Sequence, residues 1–123
     1  MFKHIDHLAI HVADVPAAAR SYADLFGFET ISEHTGAHGS IAFLRLGGTV
    51  LEFTTRPGGE PMSGFHFALE PEDFDTAFAH LQDKGLTVVT EPRPTMARGA
   101  EEGRLRRAVF RGPYGETIEL RGR

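Results

Sequence analysis

The chain has 123 residues, of which 41% are hydrophobic and 24% are charged, and its formal net charge is −4. This length suits one compact domain or two small modules that share a core. Because the charge is negative and no basic stripe stands out, nucleic-acid binding is not expected. The absence of cysteine excludes disulfides and thiolate chemistry, so any metal must be held by His, Asp or Glu.

No apolar run approaches the length of a membrane span, so no membrane partner is expected. The first residues, MFKHIDH, lack the apolar stretch of a signal peptide. We therefore expect a cytoplasmic protein, and the 10 phenylalanines predict a core built largely on Phe.

The first half of the chain predicts the order strand, helix, strand, strand, strand. Residues 4–12 (HIDHLAIHV) carry apolar residues at alternate positions, as a half-buried strand does. Asp14 is a candidate N-cap for a helix over residues 15–26, which Gly27 would end. A turn is expected over residues 35–40. The other predicted strands of this half cover residues 28–33, 41–46 and 49–54.

The second half repeats this order after residues 56–63, a segment rich in glycine and proline that we expect to be a linker. A helix is predicted over residues 71–84, where Phe74, Phe78 and Leu81 recur at helical spacing. A long polar loop is expected over residues 92–103. The strands predicted in this half cover residues 64–70, 86–91, 105–111 and 116–121.

Equivalent residues in the two halves keep a nearly constant separation, which indicates an internal repeat. His7 and His66 are 59 positions apart in the sequence. Gly27 and Gly85, each of which would end a helix, are 58 positions apart.

Each half is a βαβββ module whose helix covers one face of its sheet and leaves the other face bare. Two such modules, about residues 1–55 and about residues 64–123 of a single domain (residues 1–123), can pair edge to edge. We therefore predict an α+β fold with one curved mixed sheet, helices outside and a concave cavity, where ligands commonly bind. Because such modules can also swap between chains, a homodimer is the expected assembly.

Four predicted strands each place one ionisable residue opposite their apolar neighbours, because successive side chains of a strand alternate. These residues, a His from the first strand and a Glu from the last strand of each module, are His7, Glu52, His66 and Glu119. Burying two carboxylates together is costly without a cation, and this set suits a divalent Ni, Co, Zn, Mn or Fe ion. We therefore predict a metal-binding cavity. The alternative is that the glutamates are exposed edge residues and the histidines belong to the core.

Segments along almost the whole chain resemble those of the vicinal oxygen chelate superfamily: IDHLAIHVAD, SYADLFGF, VLEF, GFHFAL and GPYGETIEL. That superfamily includes glyoxalase I, methylmalonyl-CoA epimerase, extradiol dioxygenases and the fosfomycin- and bleomycin-resistance proteins. The resemblance implies paired βαβββ modules and one divalent metal, held here by His7, Glu52, His66 and Glu119. With Glu at position 52, the ligand set is similar to that of glyoxalase I, which makes lactoylglutathione from a hemithioacetal.

The similarity to glyoxalase I implies a lyase or isomerase that acts beside a carbonyl. The metal would polarise a small-molecule substrate with a carbonyl or vicinal oxygens, and Glu119, or alternatively Glu52, would carry the adjacent proton. Glutathione is a candidate co-substrate, although the turn GPYG departs from the family's usual DPDG and no glutathione pocket can be identified. The alternatives are a small-molecule binding protein of the bleomycin-resistance type, which needs no metal, and another family reaction such as epimerisation or dioxygenation.

Several arginines near the end of the chain are candidates for holding an anionic substrate. Arg121 shares strand parity with Glu119 and would reach the mouth of the cavity. The others, which lie in or after the long loop, are Arg98, Arg104, Arg106 and Arg107. The alternative is a solvated basic loop balanced by Glu101 and Glu102. The histidines expected outside the metal site are His4, His11, His34, His38 and His80.

Overall fold

A computed structural model describes residues 1, 3–37, 39–55, 64–95, 98–99 and 104–123 of the chain. The chain divides into two compact units, Met1–Pro61 and Met62–Arg123, which are termed module 1 and module 2 and are described separately. The predicted linker (residues 56–63), His38, and residues 96–97 and 100–103 of the predicted loop lie outside the described residues. Neither helix in the described part of the chain has the length and apolar character needed to cross a membrane.

Module 1 has the predicted βαβββ order. Its elements are β1 (Leu8–Val12), α1 (Val15–Phe26), β2 (Glu29–Gly36), β3 (Gly39–Leu46) and β4 (Thr49–Thr55). They form a mixed sheet in the order β1-β4-β3-β2, in which β1 runs parallel to β4 and the other neighbours are antiparallel. Helix α1 has the predicted bounds, and β1 begins later than predicted. Strands β2 and β3 extend into the predicted turn, because Thr35 and Ser40 are strand partners whose hydroxyl oxygens lie 2.8 Å apart.

Local capping explains both ends of α1. The Asp14 carboxylate accepts a hydrogen bond from the backbone N–H of Ala17 (3.0 Å), and Gly27 ends the helix in a left-handed conformation with φ of 77°. Tyr22 is fully buried and packs edge-on against Phe53 of β4, with ring centroids 4.7 Å apart. The helix therefore covers the sheet face that carries Phe53 and leaves the opposite face of β1 and β4 to other side chains.

Module 2 repeats this order. Its elements are β5 (His66–Leu69), α2 (Phe74–Asp83), β6 (Thr87–Pro94), β7 (Arg106–Arg111) and β8 (Thr117–Gly122). The sheet order is β5-β8-β7-β6, with β5 parallel to β8. Helix α2 begins later than predicted, because the Asp73 carboxylate caps it by accepting from the N–H of Thr76 (2.8 Å). Strand β6 continues past residue 91, because Arg93 and Pro94 pair with β7. The α+β class and the βαβββ repeat are confirmed.

The turn between β7 and β8 is built around a buried carboxylate. Glu116 is fully buried, and its side chain accepts a hydrogen bond from the N–H of Tyr114 (2.8 Å). The backbone carbonyl oxygen of Glu116 accepts a second hydrogen bond, from the N–H of Gly112 (2.8 Å). A Cβ on Gly112 would collide with the Glu116 carboxyl group. Glycine is therefore needed at position 112 for space, and the turn determines where β8 begins.

We predict that Gly112→Ala lowers the free energy of unfolding by about 1–3 kcal/mol, because the added methyl group overpacks the turn against Glu116. Urea unfolding followed by circular dichroism measures this change. Gly48→Ala is the matched control, since nothing lies within 4 Å of a Cβ at that position, and it should change stability by no more than about 0.5 kcal/mol. Equal stabilities for the two variants would contradict the proposed packing.

Candidate functional site

Module 1 brings its His and Glu together. His7 Nε2 lies 3.2 Å from Glu52 Oε2. Strand β1 begins one residue after His7, and Ala9 of β1 is the strand partner of Glu52. On the other face of the same strands, Ile10 and Phe53 are fully buried. Alternation therefore directs Glu52 away from α1, and the contact places His7 beside it. The side chains of His7 and Glu52 remain 35% and 16% exposed.

A third polar residue, Asp6, joins this pair, and sequence reasoning missed it. Asp6 Oδ2 lies 2.9 Å from His7 Nδ1. The His7 ring also meets the Phe43 ring at right angles, with centroids 5.6 Å apart. Asp6 precedes β1, so strand alternation does not direct its side chain away from that of His7. The only sign in the sequence was an acidic residue directly before the histidine.

Two carboxylates flank one imidazole ring, and this arrangement favours a positive charge on the ring. Oxygens of Asp6 and Glu52 face the two different ring nitrogens of His7. A neutral ring has one N–H and one lone pair, and the lone pair would repel the oxygen that it faces. The hydrogen bond to Asp6 raises the pKa of His7; burial opposes this shift and the charge of Glu52 adds to it. The same hydrogen bond lowers the pKa of Asp6.

Module 2 carries its His and Glu in the register found in module 1. Ala68, two residues after His66, is the strand partner of Glu119. The contacts of the carboxylate differ, however. Glu119 Oε2 accepts a hydrogen bond from Arg107 Nη2 (3.1 Å), and Glu119 Oε1 lies 4.0 Å from Arg121 Nη1. His66 is exposed, and among the described residues of module 2 it forms no ion pair with Glu119.

The donors of module 1 fit part of a divalent metal site. With Asp6 on Nδ1, His7 directs Nε2 toward Glu52, and a carboxylate behind a ligating imidazole is the usual arrangement at protein metal sites. A metal ion at Nε2 would take the place of the proton. In module 2, Glu119 would have to give up its hydrogen bond with Arg107 in order to bind a metal ion. Neither module by itself, within its described residues, groups three or more His, Cys, Asp or Glu side chains that could hold a metal ion.

The candidate arginines separate onto two faces of the module 2 sheet. Arg106 lies on the α2 side, where its guanidinium donates to both carboxylate oxygens of Asp75 (2.8 and 3.0 Å) and lies 4.4 Å from the centroid of the Phe74 ring. Asp75 of α2 therefore engages the Arg106 guanidinium, and a role of Arg106 in holding a substrate stays a prediction. Arg107 follows it in β7 and projects from the opposite face, where it contacts Glu119.

Two of the other candidate arginines line a cavity in module 2. The cavity has a volume of about 190 Å³. Its lining residues are Ala68, Leu69, Glu70, Arg98, Leu105 and Arg121. Arg104 is exposed. The cavity therefore adjoins the end of β8 that carries Arg121.

A family model described as Glyoxalase/Bleomycin resistance protein/Dioxygenase superfamily matches residues 4–120. The chain belongs to this superfamily. The predicted family is thereby confirmed, and the match spans both βαβββ modules.

This superfamily member is similar to a protein named probable lactoylglutathione lyase from Synechocystis sp., with 29% identity over 124 residues that cover 93% of this chain and 91% of that protein. A solved structure of a glyoxalase/bleomycin resistance protein from Streptomyces sp. CB03234 is 26% identical, with a TM-score of 0.67, and the match covers 92% of this chain and 95% of that chain. The integron cassette protein VCH_CASS1 from V. cholerae is 25% identical, with a TM-score of 0.73 and coverage of 99% and 96%.

We predict that Asp6→Asn lowers the pKa of His7 in metal-free protein, because the hydrogen bond to Asp6 is the main cause of its elevation. Folding raises the pKa of His7, so the protonated ring stabilises the wild-type protein. This stabilisation is complete at pH values below the pKa of His7 in the unfolded chain, which is about 6.5. That stabilisation is lost as the pH rises through the raised value, so the stabilities of wild type and variant should approach each other at high pH. NMR titration of the ring and urea unfolding across pH measure both effects.

Asp83→Asn, which removes the same charge at the end of α2, is the control and should leave the His7 titration as in the wild type. An unchanged His7 midpoint in Asp6→Asn would mean that the contact between Asp6 and His7 does not form in solution.

Proposed function

We propose that this superfamily member is a metal-dependent lyase or isomerase of the glyoxalase I type. The proposed ligands of one divalent Ni, Co, Zn, Mn or Fe ion are His7, Glu52, His66 and Glu119. The observation that carries the proposal is the 3.2 Å contact between His7 Nε2 and Glu52 Oε2, with Asp6 on the other ring nitrogen. The equivalent register of Glu119 in module 2 and the similarity to a probable lactoylglutathione lyase support it.

The proton transfer is assigned to a glutamate. Metal bound at this site would supply Lewis acidity toward a substrate carbonyl oxygen. Glu119 is the proposed base: it removes the proton from the carbon beside the carbonyl and delivers it to the former carbonyl carbon, while the hydroxyl proton of the hemithioacetal passes to the former carbonyl oxygen. Without substrate or metal, Glu119 Oε2 accepts a hydrogen bond from Arg107, and Glu119 Oε1 lies 4.0 Å from Arg121. Glu52 is the alternative base. The proposed substrate is the hemithioacetal of methylglyoxal and glutathione.

A second candidate function is the metal-free binding of a small molecule. One observation favours it: Glu119 is already engaged by Arg107 and faces Arg121. Two guanidinium groups beside a carboxylate disfavour a further cation there, because like charges repel. In this case the histidines and glutamates would line a binding surface without transferring a proton. Metal content separates the two candidates.

We predict that the chain, purified without a histidine tag, contains a divalent metal by elemental analysis and gains thermal stability when Ni, Co, Mn or Zn is added. His7→Ala removes a proposed ligand and should abolish that gain. Asp6→Asn replaces the charged acceptor that faces His7 Nδ1 with a neutral amide and should weaken metal affinity by about 10–100-fold. The exposed His34 provides the control, since His34→Ala should bind metal as the wild type does. Absence of metal together with no thermal gain would refute the metal-dependent function.

We also predict that Glu119→Gln folds normally but lowers turnover of the methylglyoxal–glutathione hemithioacetal by about 10²–10⁴-fold, because the amide cannot accept the proton. Lactoylglutathione formation by metal-loaded protein is the measurement. Glu33→Gln, at an exposed position of β2, should retain full turnover. Full activity in Glu119→Gln would move the base to Glu52. If the wild type forms no product while metal still binds, the metal site stands and the glyoxalase assignment fails.

A further inference from the structure

Three arginines lie side by side across the module 2 sheet. Arg93 of β6 is the strand partner of Arg107 of β7, and Arg107 is the strand partner of Arg121 of β8. These three residues are termed the arginine row. Since neighbouring strands lie about 4.8 Å apart, the row spans about 10 Å.

The arginine row lies on the sheet face away from α2. Phe110 of β7 packs against Phe78 of α2, with ring centroids 5.2 Å apart, so Arg107, three residues earlier, projects from the other face. The side chains of Arg107 and Arg121 are only 26% and 10% exposed. Like charges at directly paired strand positions repel, and partial burial removes the water that would screen them. Anions stabilise such an arrangement, and Glu119 supplies one.

Module 1 demonstrates that the βαβββ fold does not require this row. Glu52 is the strand partner of Phe43 in module 1, and Glu119 is the strand partner of Val109 in module 2. These two pairs define equivalent positions in the two sheets. The module 1 residues equivalent to the arginine row, partnered in the same order, are His34, Ile41 and Thr54. The same backbone accommodates an apolar residue at the centre of these positions, so the βαβββ fold by itself does not account for the arginines of module 2.

The cavity of module 2 adjoins the row at Arg121. Arg98 and Glu70 line it as well. The charged residues of the row and cavity are the cations Arg93, Arg98, Arg107 and Arg121 and the anions Glu70 and Glu119. Among these described side chains the net charge is therefore +2. At about 190 Å³ the cavity is smaller than pockets that enclose drug-sized ligands, so it suits one small anionic group.

We propose that the arginine row and the adjoining cavity bind an oxyanion of the substrate, either a carboxylate or a phosphate group. Guanidinium groups bind both through paired, charge-assisted hydrogen bonds. The substrate is then a small carbonyl compound that carries a negatively charged group. That this compound is a substrate rests on the function proposed above, whereas the binding of an oxyanion at this site does not.

Arg107 connects the oxyanion site to Glu119. An oxyanion that bonds to the Arg107 guanidinium competes with Glu119 Oε2, which now occupies it at 3.1 Å. In the metal-free protein, an oxyanion bound to Arg107 therefore releases Glu119 Oε2 from this hydrogen bond. In the absence of substrate, Arg107 holds Glu119 in place.

The test uses the full chain, treated with EDTA and dialysed, with inorganic phosphate and acetate as probes. Calorimetric titration and melting temperature are compared with sodium chloride at equal ionic strength. At least one of the two oxyanions should bind and raise the Tm above that in chloride, and the tighter one identifies the group. Arg107→Gln should raise the dissociation constant of the tighter oxyanion roughly tenfold or more, since a charged hydrogen bond is lost. Arg93→Gln, at an exposed position, should weaken binding by a smaller factor with the fold intact.

Arg111→Gln is the matched control. Arg111 lies on the same strand and face as Arg107 but roughly 13 Å from it, so the variant changes net charge equally and should bind the oxyanion as the wild type does. The proposal is overturned if neither phosphate nor acetate binds the wild type, or if Arg111→Gln weakens binding as much as Arg107→Gln. Neither metal nor turnover enters the measurement, so failure of the oxyanion proposal leaves the metal-dependent function standing. A protein without metal would equally leave the oxyanion site standing.

Discussion

Parallel pairing of the first and last strands in each module is the constraint on which the candidate site depends. It joins β1 to β4 and β5 to β8 in one register, so a His and a Glu far apart in the chain project from the same sheet face. The helix packs on the other face, where residues such as Phe53 and Leu120 are buried. Burial of that apolar face determines the direction of the polar side chains, since the two faces alternate along every strand.

The two modules use this shared geometry with opposite electrostatics. In module 1, Asp6 and Glu52 surround one imidazole ring, so two acidic groups face one base. In module 2, Arg107 and Arg121 surround one carboxylate, so two basic groups face one acid. The duplicated backbone therefore carries opposite arrangements of charge without any change in topology. The difference lies in side chains at equivalent register positions.

The helices and the strand faces could be predicted from the sequence because their determinants are local. Asp14 and Gly27 set the limits of α1, and alternation alone placed Glu52 opposite the buried residues of β4. Contacts that depend on pairing between strands could not be predicted. The ladder between β6 and β7 is irregular between Thr90 and Arg93. Regular alternation would put those two side chains on opposite faces, so the sequence by itself would place Arg93 outside the row.

The Glu116 side chain lies in the space that a side chain at position 112 would occupy, so the two positions are coupled sterically. Neither residue can therefore change freely while the other stays. A related chain with a larger residue at the first position should carry a shorter one at the second, together with a new acceptor for the N–H that Glu116 now satisfies. Correlated substitution at this pair would identify relatives that keep the same route into their last strand.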